Sequence, residues 1–112
     1  MQFKLVAMIL TSLLLAVASL AVASDSQEHV SNAIRHAEDA EIHGRAGHTN
    51  ALLEHAQESL AHAQAAYQTS PAANQHLAVA SKLLEEAITQ AKQDHAKVAT
   101  GHVREALSHM RH

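Results

Sequence analysis

The chain reads as all-α: an up-and-down antiparallel four-helix bundle of two duplicated helical hairpins, preceded by an N-terminal signal peptide. Three observations predict this. Beyond residue 23, one Pro and three Gly interrupt a chain rich in Ala, Leu, Glu and Gln, the composition of helices. Histidine recurs every seven residues, close to two helical turns. Part of the chain also repeats at an offset of 47 residues.

The leader comes first. Lys4 precedes an apolar run from Leu5 to Ala23, and Ala21-Val22-Ala23 offers a small-residue cleavage pattern, so residues 1–23 are expected to be a signal peptide. An uncleaved membrane anchor is the competing reading. Ser12, Ser19 and the many alanines weaken such a span, and no stable membrane insertion is expected after cleavage. Residues 24–112 then form one small domain, with repeat halves at about 27–66 and 72–112.

Each helix has its own signals. Asp25 and Glu28 can cap the first, which should run to about Gly44, where Gly44-Arg45-Ala46-Gly47 makes a turn. The second follows from Thr49 to about Tyr67. Gln68-Thr69-Ser70-Pro71 breaks it, with Ser70 as N-cap and Pro71 at the first position of the third. The fourth should hold His95 to Met110. Gln90 to Asp94 contains neither Gly nor Pro, and propensity alone would permit one continuous helix there. The repeat argues for a break: an offset of 47 places His29 on His76, His48 on His95, His55 on His102 and His62 on His109. The glycine turn then falls on Ala91–Asp94, near Lys92, where Asp94 can cap the fourth helix.

Setting the striped histidines at heptad position g organises the core. Positions a and d then include Val30, Ala33, Ala37, Ala40, Leu52, Ala56, Leu77, Ala80, Leu84, Ala87, Ala91, Ala96, Ala99, Val103, Ala106 and Met110. Ile34, Leu53, Leu60, Ile88 and Leu107 widen the stripe at position e. The seam is rich in alanine, so the helices can approach closely, but the core is thin and should be marginal in stability.

The histidines carry the chemistry. His29, His36 and His43 form one run of seven-residue steps; His48, His55 and His62 form a second; His95, His102 and His109 form a third; His76 stands alone. Neutral imidazole is the commonest ligand of transition metals. Histidines seven apart lie about 10 Å apart along one helix, too far to share an ion, so a second helix must supply the partner. In an antiparallel hairpin, residues at one level have numbers of constant sum. For the first hairpin the sum of 91 pairs His43 with His48, His36 with His55, and His29 with His62. In the second, a sum of 185 pairs His76 with His109 but sets His102 opposite Leu83 and His95 opposite Gln90. The first hairpin is therefore expected to bind better. Asp39, Glu58 and Glu105 each lie three after one striped histidine and four before the next, where a carboxylate can ligate or orient a ring. His109 and His112 can chelate only if the last helix persists to the end. Glu38, Glu41, Glu54, Glu85, Lys82 and Arg104 read as solvated charges.

Composition narrows the classes further. Removing Lys4 with the leader leaves seven basic and eleven acidic side chains, and Tyr67 is then the one aromatic, so there is neither basic patch nor stacking platform for nucleic acid. With no Cys there is no disulfide and no thiolate site. Met110 is the only methionine beyond the leader, which disfavours a methionine-rich Cu(I) carrier.

The phrases Ala33-Ile34-Arg35-His36-Ala37-Glu38-Asp39-Ala40, His43-Gly44-Arg45-Ala46-Gly47-His48 and Leu52-Leu53-Glu54-His55-Ala56-Gln57-Glu58-Ser59-Leu60 resemble the small metal-binding protein family over about residues 27–112. The resemblance implies a monomeric bundle in the periplasm that binds several copper ions, accepts other divalent metals, and serves in buffering, scavenging or detoxification. The chain departs from the family pattern at Leu83 and Gln90, where such proteins tend to carry further histidines.

On nitrogen and oxygen donors Cu(II) is expected to bind ahead of Ni(II) and Zn(II). The competing reading is a structural or adaptor bundle whose histidines form a pH-responsive stripe. Catalysis is not expected, since an alanine seam offers no evident pocket or oxyanion site.

Overall fold

Long stretches without Gly or Pro become long helices. The computed structural model describes the side chains of residues 24–112; the expected signal peptide, residues 1–23, lies outside these described residues. The elements are α1 (Gln2–Arg45), α2 (Thr49–Thr69), α3 (Gln75–Lys92) and α4 (Ala96–Met110), with no strand among the described residues. Each helix packs on its neighbours in sequence and α4 closes back on α1. Consecutive helices run antiparallel, as the short turns require. Among the described residues no helix is long and apolar enough to cross a membrane.

The core follows the heptad reading. Among the described residues, 11 of the 18 buried apolar side chains are alanine, which decides how near the helices stand. Ala33, Ala37, Ala40, Leu52, Ala56, Leu77, Ala80, Leu84, Ala87, Ala91, Ala99, Val103, Ala106 and Met110 are all buried. Val30 and Ala96 are only half-buried. Ser59, Ala63 and Ala66 continue the seam along α2, and buried Ser59 donates its hydroxyl to the Ala33 carbonyl at 2.7 Å. The e positions divide by hairpin: Ile88 and Leu107 are buried, whereas Ile34, Leu53 and Leu60 are only partly so. The larger apolar share of the core thus lies in α3–α4.

Helix boundaries differ from expectation at three places. Asp25 and Glu28 lie inside α1 and cap nothing, because no breaker precedes Gly44 to make the helix restart. Gly44 belongs to the helix, not the turn, and is buried; a Cβ built there would fall on the Thr100 hydroxyl and 2.5 Å from Leu52 Cδ1. Glycine is required at this site because α1, α2 and α4 converge on it. The third helix starts at Gln75 instead of Pro71, since Pro71–Ala73 form a turn. The Asn74 amide holds that turn by donating to Ser26 Oγ at 2.7 Å and to the Ser70 carbonyl at 3.0 Å.

The two hairpin turns are copies. In the first, Gly47 N–H reaches the Gly44 carbonyl at 3.1 Å and His48 N–H the His43 carbonyl at 2.9 Å. In the second, Asp94 N–H reaches Ala91 and His95 N–H reaches Gln90, both at 2.9 Å. This is the double carbonyl cap that ends many helices on a left-handed residue. Gly47 takes φ 77°, and Asp94 takes φ 62° at the equivalent position. Asp94 therefore does a glycine's work and does not cap α4, whose N-cap is His95.

Two substitutions should move stability in opposite directions. Gly44→Ala is expected to cost about 1–3 kcal/mol by overpacking. Asp94→Gly is expected to gain about 0.5 kcal/mol by relieving the left-handed side chain. Thermal unfolding in chelator followed by circular dichroism measures both.

Candidate metal centre

Because α1 and α2 are antiparallel and joined by a tight turn, their heptad g positions face one another along one groove. The three pairs expected from the constant sum are in contact. Nδ1 of His29 and His62 are 3.0 Å apart, those of His36 and His55 3.4 Å, and those of His43 and His48 3.5 Å. In each pair one ring donates and the other accepts, so the two share one proton. Successive pairs also touch. His36 stacks on His62 and His43 on His55, each with planes 6° apart and centroids at 5.7 and 5.4 Å. Six imidazoles thus make one continuous ladder, and all but exposed His48 are half-buried.

The spacing is that of two ligands on one ion. With metal–nitrogen distances of about 2.0 Å, nitrogens 3.0, 3.4 and 3.5 Å apart subtend about 97°, 116° and 122° at the metal. Those angles run from near square-planar cis to about trigonal geometry, a range open to Cu(II), Ni(II) and Zn(II). The middle rung is the best furnished. Ligand atoms of His36, Asp39 and His55 all lie within 4.8 Å of one another. Glu58 reaches across the groove: its Oε2 is 2.8 Å from His36 Nδ1 and 3.8 Å from His55 Nδ1. Spacing alone places Glu58 between His55 and His62 on its own helix. Its contact with His36 follows from the antiparallel register.

The second hairpin holds no comparable ladder. His95 donates to Gln90 Oε1 at 2.9 Å, so an amide oxygen stands where His43 stands in the first hairpin. His102 Nδ1 lies 3.4 Å from Glu86 Oε2, whereas Glu105 is exposed and makes no ion pair among the described residues. His76 and His109 line one cavity of about 470 Å³ at the end of the bundle, with His112, but no hydrogen bond joins them. α4 stops at Met110, so His109 and His112 do not share a helix face.

These features are those of a metal-binding bundle, and comparison places the chain. A family model described as small metal-binding protein matches residues 2–112. The chain belongs to the small metal-binding protein family. No match was found among curated proteins.

In this small metal-binding protein the face away from the ladder is stitched by ion pairs. Arg104 Nε in α4 donates to Glu41 at 3.1 Å, and Arg111, just past the end of α4, donates to Glu38 at 2.6 Å, so both reach α1. Glu38, Glu41 and Arg104 are therefore not merely solvated. Arg45 joins Glu41 from the next turn of α1 at 2.6 Å. The alternation of acid and base across α1–α4 is invisible in the sequence, because nothing in either stretch alone reveals which helices adjoin.

One ring in the ladder is electrostatically distinct. Burial, and then the neighbouring His29 and His36, hold the His62 imidazole below its ordinary value of 6.5, with Glu58 opposing. As pH falls below 6.5 the unfolded chain protonates this residue before the folded one does, so the unfolded state binds more protons and stability drops. The metal-free protein should therefore lose melting temperature on acidification from 6.5 towards the lowered folded value. His62→Gln should flatten that dependence, as melting curves across the range would show.

Proposed function

We propose that this protein is an exported, periplasmic metal-binding protein that holds several Cu(II) ions, and less tightly Ni(II) or Zn(II), for buffering, scavenging or detoxification. The observation that carries the reading is the set of three imidazole pairs with facing Nδ1 atoms 3.0–3.5 Å apart. Metal would be cargo here, with no catalytic part to play, and the chain acts as a monomer. His36, His55 and Asp39 form a two-nitrogen, one-oxygen set, with the Glu58 carboxylate beside His36 as a further oxygen, and such mixed donors suit tetragonal Cu(II). His29 with His62 and His43 with His48 offer two nitrogens each, with water completing the shell.

Copper leads because such donors follow the Irving–Williams order and no cysteine competes by softness. The half-exposed rings keep cargo in exchange with solvent. Protons compete for the same lone pairs, so uptake should fail below about pH 6. The signal-like pattern of residues 1–23 supports export to an oxidising compartment, which would keep copper divalent.

Calorimetric titration with Cu(II) at neutral pH should find about three ions on the α1–α2 ladder; fewer than one per chain would defeat the proposal. Because each ion ties two helices, saturation at 100 times a site's dissociation constant should add about 2.7 kcal/mol and raise the melting temperature. Replacing His36 and His55 together by Ala should remove one ion from the stoichiometry while helicity stays intact. A copper-independent melting curve with a pH-dependent oligomeric state would favour the adaptor bundle instead.

A further inference from the structure

The α3–α4 groove keeps part of the same construction. Advancing His36, Asp39 and His55 by 47 residues gives Leu83, Glu86 and His102, so two of three donors persist. They also meet in space. His102 Nδ1 lies 3.4 Å from Glu86 Oε2 across the gap between the helices. That nitrogen is shielded from solvent and has no hydrogen-bond partner, because the carboxylate stands beside it without the alignment a hydrogen bond needs. A buried donor or acceptor left unmatched is costly, and such groups in folded proteins call for a partner. A cation between ring nitrogen and carboxylate satisfies both. Room for one exists: a surface cavity of about 330 Å³ is lined by Lys82, Glu85, Glu86, Thr89, Gln90 and His102.

We propose that His102 and Glu86 form a second divalent-cation site, separate from the α1–α2 ladder and of mixed imidazole–carboxylate character. It rests on the metal-binding reading of the chain, extended to the carboxylate that the 47-residue offset puts in the place of Asp39. One nitrogen and carboxylate oxygen, completed by water, favour copper less than paired imidazoles do and suit Zn(II). The Lys82 ammonium lines the same cavity and opposes a cation there. The site therefore fills after the ladder.

Zn(II) titration of the full chain, followed by imidazole proton–nitrogen correlation spectra, tests this because zinc is diamagnetic and each ring reports separately. The His102 signals should shift with a midpoint at higher free Zn(II) than those of His36 and His55. Glu86→Gln should raise the His102 midpoint at least tenfold and leave the His36 and His55 midpoints in place. Leu83→His should lower it at least tenfold by restoring the missing imidazole. His102 signals that stay still once the ladder is saturated, or a midpoint indifferent to Glu86→Gln, would overturn the second site. Silent His36 and His55 with a responsive His102 would instead refute the ladder and uphold this site.

Discussion

A pair of imidazoles can clamp one ion only if the helices that carry them stand close, and in α1–α2 alanine sets that closeness. Ala33, Ala37 and Ala40 on one side and Ala56, Ala63 and Ala66 on the other are fully buried. Small side chains at the seam bring helix axes towards the short end of the usual range of about 8–10 Å. At that separation, rings from the g positions arrive with their nitrogens 3.0–3.5 Å apart. Larger seam residues would push the helices apart, leaving each ring alone with water. The thin core is thus tied to the geometry of the groove.

The turn matters for the same reason. Rungs align only if the hairpin register is fixed, since a shift of one residue along either helix rotates each ring away by about 100°. The double carbonyl cap at Gly47 and His48 pins the register at one end. Ser59 pins it further along through its bond to Ala33. Gly44 lets α4 close over the turn, so the end of the groove is fastened to the rest of the bundle.

Much of this was legible in the sequence. A seven-residue stride and a constant sum are arithmetic, and they located all three imidazole pairs of the first hairpin. The 47-residue offset located the break after Lys92 in the absence of any glycine, because Asp94 tolerates the left-handed conformation that Gly47 adopts. What sequence hid depended on neighbours distant along the chain. The α1–α4 ion pairs need the lateral order of helices, which local spacing does not encode. Glu58 reaching His36 and Glu86 facing His102 need side-chain reach across a hairpin groove. Pro71 misled for a different reason: its fixed φ suits a turn as well as a first helical residue, and Asn74 supplies the bonds that favour the turn.

The two halves of the repeat differ in what they bury. Leu77, Leu84, Ile88, Val103, Leu107 and Met110 are buried in α3–α4, whereas Leu52 is the one large apolar side chain buried in the described part of α1–α2. The larger apolar side chains therefore lie in the half that carries Leu83 and Gln90 where the first half has His36 and His43. Such a division loads most of the large-side-chain adhesion onto one hairpin and leaves the other, with its slender alanine seam, to hold its rings at a short and even spacing.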